Sequence, residues 1–126
     1  MVNRYCFSLK TDKESVNREV KKIMSILKGR IQNEALLFDL RVIISELVIN
    51  AMSHGNKWKP NKKVEVIVEI YDDKISVSVS DEGEGIRLPQ YSTKHFKPSG
   101  RGLKLVRGLS DKIFIEDNTI KCFLYL

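Results

Sequence analysis

Residues 63–80, KVEVIVEIYDDKISVSVS, constrain the fold more than any other stretch of the chain. Apolar residues fall on every second position twice over, at Val64, Val66, Val68 and Ile70 and again at Ile75, Val77 and Val79. Successive side chains of a strand point to opposite faces, so this period of two builds a sheet with one apolar and one polar face. Asp72 and Asp73 supply turn chemistry between the runs, and the stretch reads as a hairpin of strands 63–71 and 74–80. A lone hairpin has nothing to bury its apolar face against, so other elements must cover it.

The rest of the chain offers the cover. Residues 13–28 carry Val16, Val20, Ile23, Met24 and Leu27 on one helical face, with Thr11 or Asp12 as cap and Gly29 as stop. A second helix is predicted over 33–54, where Leu36, Leu40, Ile43, Ile44, Leu47 and Ala51 recur at spacings of three and four. Gly55 ends it, and NKWKPN forms a loop with Pro60 as breaker. Residues 4–10 read as a strand, 100–110 as a short helix, and 112–116 with 119–126 as a final hairpin around Asp117 and Asn118. Strands in hairpins with helices between them predict an α+β, two-layer sandwich: a mostly antiparallel, mixed sheet with helices on one face.

A length of 126 residues suits a single domain over 1–126 with one core, and no extra domain is expected beyond the last strand. Hydrophobic content of 42% with 30% charged residues excludes a disordered chain. No apolar run approaches the ~20 residues of a membrane span. The start, MVNRYCFSLK, lacks the apolar core of a signal peptide, so a cytoplasmic protein is expected. Cys6 and Cys122, two and far apart, predict reduced, buried strand cysteines rather than a disulfide framework or zinc site. The net charge of +6 fits an anionic ligand or acidic partner, although charge alone also describes a solvated basic face. No basic-aromatic array accompanies it, so direct nucleic-acid binding is not expected.

Three short stretches carry chemistry. In ELVINAMSHG, residues 46–55, Asn50 lies roughly 90° and Glu46 roughly 130° from the centre of the helix's apolar face, one turn apart, and His54 continues their line. In DEGEGI, residues 81–86, Asp81 ends a strand and offers a carboxylate that can accept from an exocyclic amine, while Gly83 and Gly85 let the backbone approach a ligand. In SGRGLKLVRGL, residues 99–109, Gly100, Arg101 and Gly102 open a short helix whose free N–H groups suit phosphate. Taken singly, these are also a solvated helix edge, an ordinary turn and a glycine-rich connection.

Their order and spacing together resemble the GHKL ATPases, the superfamily of gyrase, a heat-shock chaperone, histidine kinases and a mismatch-repair protein. Glu46 and Asn50 match its N box, Asp81, Gly83 and Gly85 its G1 box, and Gly100 and Gly102 with Leu103 its G2 box. The chain looks most like the stand-alone anti-sigma factor serine kinases. The resemblance implies the Bergerat ATP-binding fold with ATP and Mg²⁺ as cofactors. It implies that Asn50 ligates Mg²⁺ and that Glu46 is the general base on a serine or threonine hydroxyl. Asp81 would read adenine with Gly83 and Gly85 beside the base, Gly100, Arg101 and Gly102 would hold the phosphates, Leu103 would complete the nucleotide-binding set, and 87–99 would form a lid. Thr119 would match a threonine near the phosphates, and His54 a structural hydrogen bond. The implied partners are a sigma factor, an anti-anti-sigma (STAS) protein that is phosphorylated, and a second copy in a homodimer. The alternative is a non-catalytic ATP-binding, partner-switching module with a different target, against which Glu46 weighs. A histidine-kinase fragment fits less well, since no separate helical phosphoacceptor segment is present.

Overall fold

The computed structural model describes residues 2–83 and 101–126. Strand β1 (Asn3–Lys10) leads through a 3-10 turn (Lys13–Ser15) into helix α1 (Val16–Lys28). Helix α2 (Glu34–Asn50) continues into a five-residue π-turn (Ala51–Gly55), followed by β2 (Lys63–Ile70) and β3 (Lys74–Ser80). Helix α3 (Arg101–Leu109), β4 (Lys112–Glu116) and β5 (Thr119–Tyr125) complete the fold.

The five strands run in the order β1-β2-β3-β5-β4, and every pairing among them is antiparallel. Register follows the alternating pattern, because a slip of one residue would turn every apolar side chain to solvent. Tyr5, Val68, Val77, Cys122 and Ile113 therefore stand in one row across all five strands. Val64, Val66, Val68 and Val77 are wholly buried beneath the helices.

The helices cover this face for local reasons. In α1 the buried residues Val16, Val20, Ile23 and Leu27 form one stripe. In α2 the buried apolar set is Leu40, Ile43, Ile44, Leu47 and Val48, and this helix packs against both α1 and α3. Asp12 accepts from Glu14 N at 3.1 Å ahead of the 3-10 turn, and Asn33 accepts from Leu36 N at 3.1 Å at the start of α2. Each such cap is worth about 1 kcal/mol.

The outer face is polar, with aromatic rings shielded by lysine stems. Lys74 lies 5.0 Å from the Tyr71 ring and Lys121 5.3 Å from the Phe123 ring, while Lys121 also pairs with Glu69 at 3.7 Å. Cys6 belongs to this face and is exposed, contrary to the expectation of two buried cysteines. On β1 the odd residues Tyr5, Phe7 and Leu9 pair with Val68, Val66 and Val64, so strand parity turns Cys6 outward. Among the described residues no helix is long and apolar enough to cross a membrane.

Candidate functional site

The site begins in the last turn of α2. Asn50 is only 4% exposed, and among the described residues neither its Nδ2 nor its Oδ1 has a hydrogen-bond partner. A carboxamide offers two donors and an acceptor oxygen, and leaving such groups buried and unpaired costs about 1–3 kcal/mol each. A group orphaned in this way needs a partner from outside the described residues, such as an ordered water, an ion or a ligand. Glu46, one turn earlier on the same side of the helix, is half-exposed. Asn50 thus sits deeper than the helix edge expected for it, with a carboxylate at the boundary with solvent beside it.

The helix does not run on regularly to residue 54. Asn56 N donates to Ala51 O at 2.8 Å, an i to i+5 bond that widens the last turn, and such π-turns concentrate at functional sites. The extra residue breaks the line from Glu46 through Asn50, so His54 is exposed instead of extending it. No hydrogen bond of the His54 ring occurs among the described residues, and the expected structural bond is absent there. Lys57 and Trp58 then adopt left-handed backbone with φ of 52° and 58°. That conformation costs about 1–2 kcal/mol per residue without glycine. It brings Trp58 N to Met52 O at 2.8 Å, which satisfies a helix-end carbonyl.

The turn after β3 closes against this helix end. Asp81 Oδ1 accepts from Gly83 N at 2.8 Å. A Cβ at Gly55 would overlap the Asp81 carboxylate, and a Cβ at Gly83 would overlap the Gly55 carbonyl. Gly55, whose sequence role is to stop a helix, therefore also makes room for Asp81. Burial raises the Asp81 carboxyl above its ordinary value, partly opposed by the Gly83 N–H and by Lys62. A desolvated carboxylate at a strand end is suited to accept a hydrogen bond from a ligand donor such as an exocyclic amine.

The structure thus joins the end of ELVINAMSHG to the start of DEGEGI. Arg101, Gly102 and Leu103 form the first turn of α3, where backbone N–H groups lack intrahelical acceptors. The Leu103 side chain is buried in the core. Gly85, Gly100 and the expected lid over 87–99 lie outside the described residues. Thr119 faces away from the helices and shares a hydrogen bond with Ser80 at 2.7 Å. Among the described residues no three His, Cys, Asp or Glu side chains gather as a metal cage. The orphaned Asn50 oxygen does fit Mg²⁺, which takes few protein ligands and completes its shell with water and phosphate oxygens.

Two further residues escape the motif reading, Asn56 and Asn118. Asn56 is wholly buried, and its Oδ1 accepts from Glu82 N at 2.8 Å. Asn118 accepts from Asp81 N at 3.0 Å through its carbonyl. The only sequence signal for either is a position beside a turn.

The model of the histidine kinase-like ATPase domain matches residues 9–122. The anti-sigma F factor of Geobacillus stearothermophilus is 33% identical over 92 residues, which are 68% of this chain and 63% of that relative's length. The anti-sigma F factor of Geobacillus thermodenitrificans is 31% identical over 123 residues, 91% of this chain and 82% of the relative. The serine-protein kinase RsbW of Bacillus subtilis is 26% identical over 92 residues, 64% of this chain and 58% of RsbW. Among solved structures, the RsbU and RsbW domains of a Mycobacterium tuberculosis protein superpose with a TM-score of 0.62 at 17% identity, over 98% of this chain and 32% of that one. The catalytic domain of the histidine kinase ThkA gives 0.55 at 18% identity, over 94% of each chain, and both superpositions show the same fold. With the two boxes closed on each other at Gly55 and Asp81, the chain belongs to the histidine kinase-like ATPase family, in the branch of the anti-sigma factor relatives.

Proposed function

We propose that the protein is an ATP-dependent serine/threonine protein kinase and anti-sigma factor, with residues 1–126 acting as one ATPase domain in the cytoplasm. The observation that carries this reading is the buried Asn50 amide, unpartnered among the described residues, one helical turn from the half-exposed Glu46 carboxylate. Asn50 Oδ1 and Arg101, Gly102 and Leu103 at the start of α3 would hold Mg²⁺-ATP, joined by Gly100. When bound, Mg²⁺ neutralises charge on the β- and γ-phosphates.

Phosphoryl transfer asks the protein mainly for positioning and electrostatics. Asp81 accepts the adenine amine, with Gly83 and Gly85 beside the base. Glu46 accepts the proton of a serine or threonine hydroxyl on the partner. That oxygen bonds to the γ-phosphorus as the bond to the β–γ bridging oxygen breaks, and ADP departs. A base within the core would not meet a hydroxyl on another protein, which is why the half-exposure of Glu46 supports protein kinase chemistry. The relatives named as anti-sigma factors support a sigma factor as partner, and the one named a serine-protein kinase supports a protein phosphoacceptor. In this proposal that acceptor is a STAS-domain protein, and a second copy of the chain completes a homodimer.

The test is transfer of γ-labelled phosphate from Mg-ATP to purified STAS-domain proteins of the same organism, with Glu46→Gln alongside. Label on one partner, lost in the variant, is expected. ATP binding with no label on any partner would replace this reading by the non-catalytic, partner-switching module.

A further inference from the structure

We propose that Asn56 and Asn118 are positioning residues that clamp Asp81 from two sides and thereby set the base selectivity of the nucleotide site; the proposal rests on the nucleotide reading above. A single carboxylate separates adenine from guanine only when it is held still. It gains a hydrogen bond from an exocyclic amine and is repelled by a carbonyl oxygen at the same place. A carboxylate free to swing away would escape the repulsion and lose the discrimination.

Asp81 is held at both backbone polar groups by one residue. Its N–H donates to the Asn118 carbonyl at 3.0 Å, and its carbonyl accepts from Asn118 Nδ2. Asn118 is presented by the β4–β5 turn, where Asp117 adopts left-handed backbone with φ of 52°. On the other side, Glu82 N donates to Asn56 Oδ1 at 2.8 Å. Asn56 Nδ2 donates to Thr11 Oγ1 at 2.8 Å and to Lys63 O at 3.0 Å. Both amide donors and the acceptor oxygen of this wholly buried side chain are therefore engaged within the protein. Its job is to fix the turn, not to meet the ligand. The Glu82 side chain adds a further tie, accepting from Lys63 N at 2.7 Å. No other side chain of this size supplies two donors and an acceptor: aspartate cannot donate to Lys63 O, and leucine would remove the bonds to Glu82 N, Lys63 O and Thr11 Oγ1, of which Thr11 keeps a second bond, to Lys62 O at 2.7 Å.

The experiment is calorimetry of the full chain with Mg²⁺ and, in turn, ATP, GTP and inorganic tripolyphosphate, for the wild type, Asn118→Ala and Asn56→Ser. Loss of one well-made hydrogen bond corresponds to about tenfold in an equilibrium constant. The expected result is an ATP affinity lowered about tenfold with GTP and tripolyphosphate affinities held within about twofold, so that the ATP-to-GTP ratio collapses. A purely structural role would instead weaken ATP and tripolyphosphate together. That outcome, or an unchanged ratio in a folded variant, overturns the clamp. If Asn56→Ser does not fold, Asn118→Ala decides, because Asn118 is half-buried in a surface turn. A wild type that binds ATP and GTP equally would remove Asp81 from base reading and the clamp with it. Failure of the clamp alone would leave the wild-type preference for ATP intact.

Discussion

Asn50 and Asn56 are six residues apart, on either side of the π-turn, and both are buried, at 4% and 0% exposure. In Asn50 neither amide atom finds a partner among the described residues, whereas Asn56 bonds Thr11, Lys63 and Glu82. The same side chain at the same depth thus does opposite work. One is a desolvation cost that the proposed ligand would offset; the other is a completed joint between α2, β2 and the turn after β3. Burial of a polar group therefore says little until its partners are counted.

The sharpest way to test the ligand side of this contrast is through its neighbour. Glu46→Gln should bind Mg-ATP nearly as well as the wild type but transfer phosphate ~10²–10⁴-fold more slowly, as loss of a general base does. Equal transfer rates would leave Glu46 without a chemical role. Asn50→Ala should lower Mg-dependent ATP affinity by about 100-fold, at or beyond what supporting partners of a metal site cost. Its thermal midpoint should hold or rise, because the orphaned amide is removed. Unchanged Mg-ATP binding in calorimetry would show that the buried amide is not waiting for a metal.

Asn56→Ala should behave in the opposite sense. It strips partners from Thr11 Oγ1, Lys63 O and Glu82 N, and should lower unfolding stability by roughly 2–4 kcal/mol in urea titration. A loss no larger than that of Asn50→Ala would erase the distinction between the two asparagines.

The smallest effect concerns Asp81. Burial raises its carboxyl pKa above the ordinary 3.8, so the folded state holds the proton more tightly than the unfolded chain. Its contribution to stability is then present below the ordinary carboxylate range and is lost as pH rises through the folded value. Asp81→Asn removes this dependence. The variant should be equally or more stable near neutral pH, with the difference vanishing as pH falls below about 3.8, while it binds ATP less well. Urea midpoints of both proteins across that range isolate Asp81, because every other carboxylate is common to the two proteins. A variant that is less stable at neutral pH would mean that the carboxylate is there for the fold.

Much of the architecture is legible in the residues. The hairpin over 63–80 appears as Lys63–Ile70 and Lys74–Ser80, and the short run KIFIE appears as Lys112–Glu116. Periodicity reports faces well because strand and helix geometry act within a few residues. The α1 stripe was visible for the same reason. Less legible was the end of α2. Apolar spacing carries on through Ala51, and nothing in AMSHG announces a π-turn, which depends on where the chain must go next to place Asn56. The exposure of Cys6 likewise followed from pairing with β2, which a loosely alternating segment does not announce.

By itself the sequence determined which residue types stood one helical turn apart at 46 and 50, and which strand led into Asp81, because such relations are set by local backbone geometry. Only the tertiary structure decided which polar groups were already spent. Asn56 meets Glu82, Thr11 and Lys63, and Asn118 meets Asp81, across separations of 26, 45, 7 and 37 residues. Hydrogen bonds act over about 3 Å. Whether a buried amide is satisfied is therefore settled by segments distant in sequence, which meet only once the sheet has paired and the helices have closed over it.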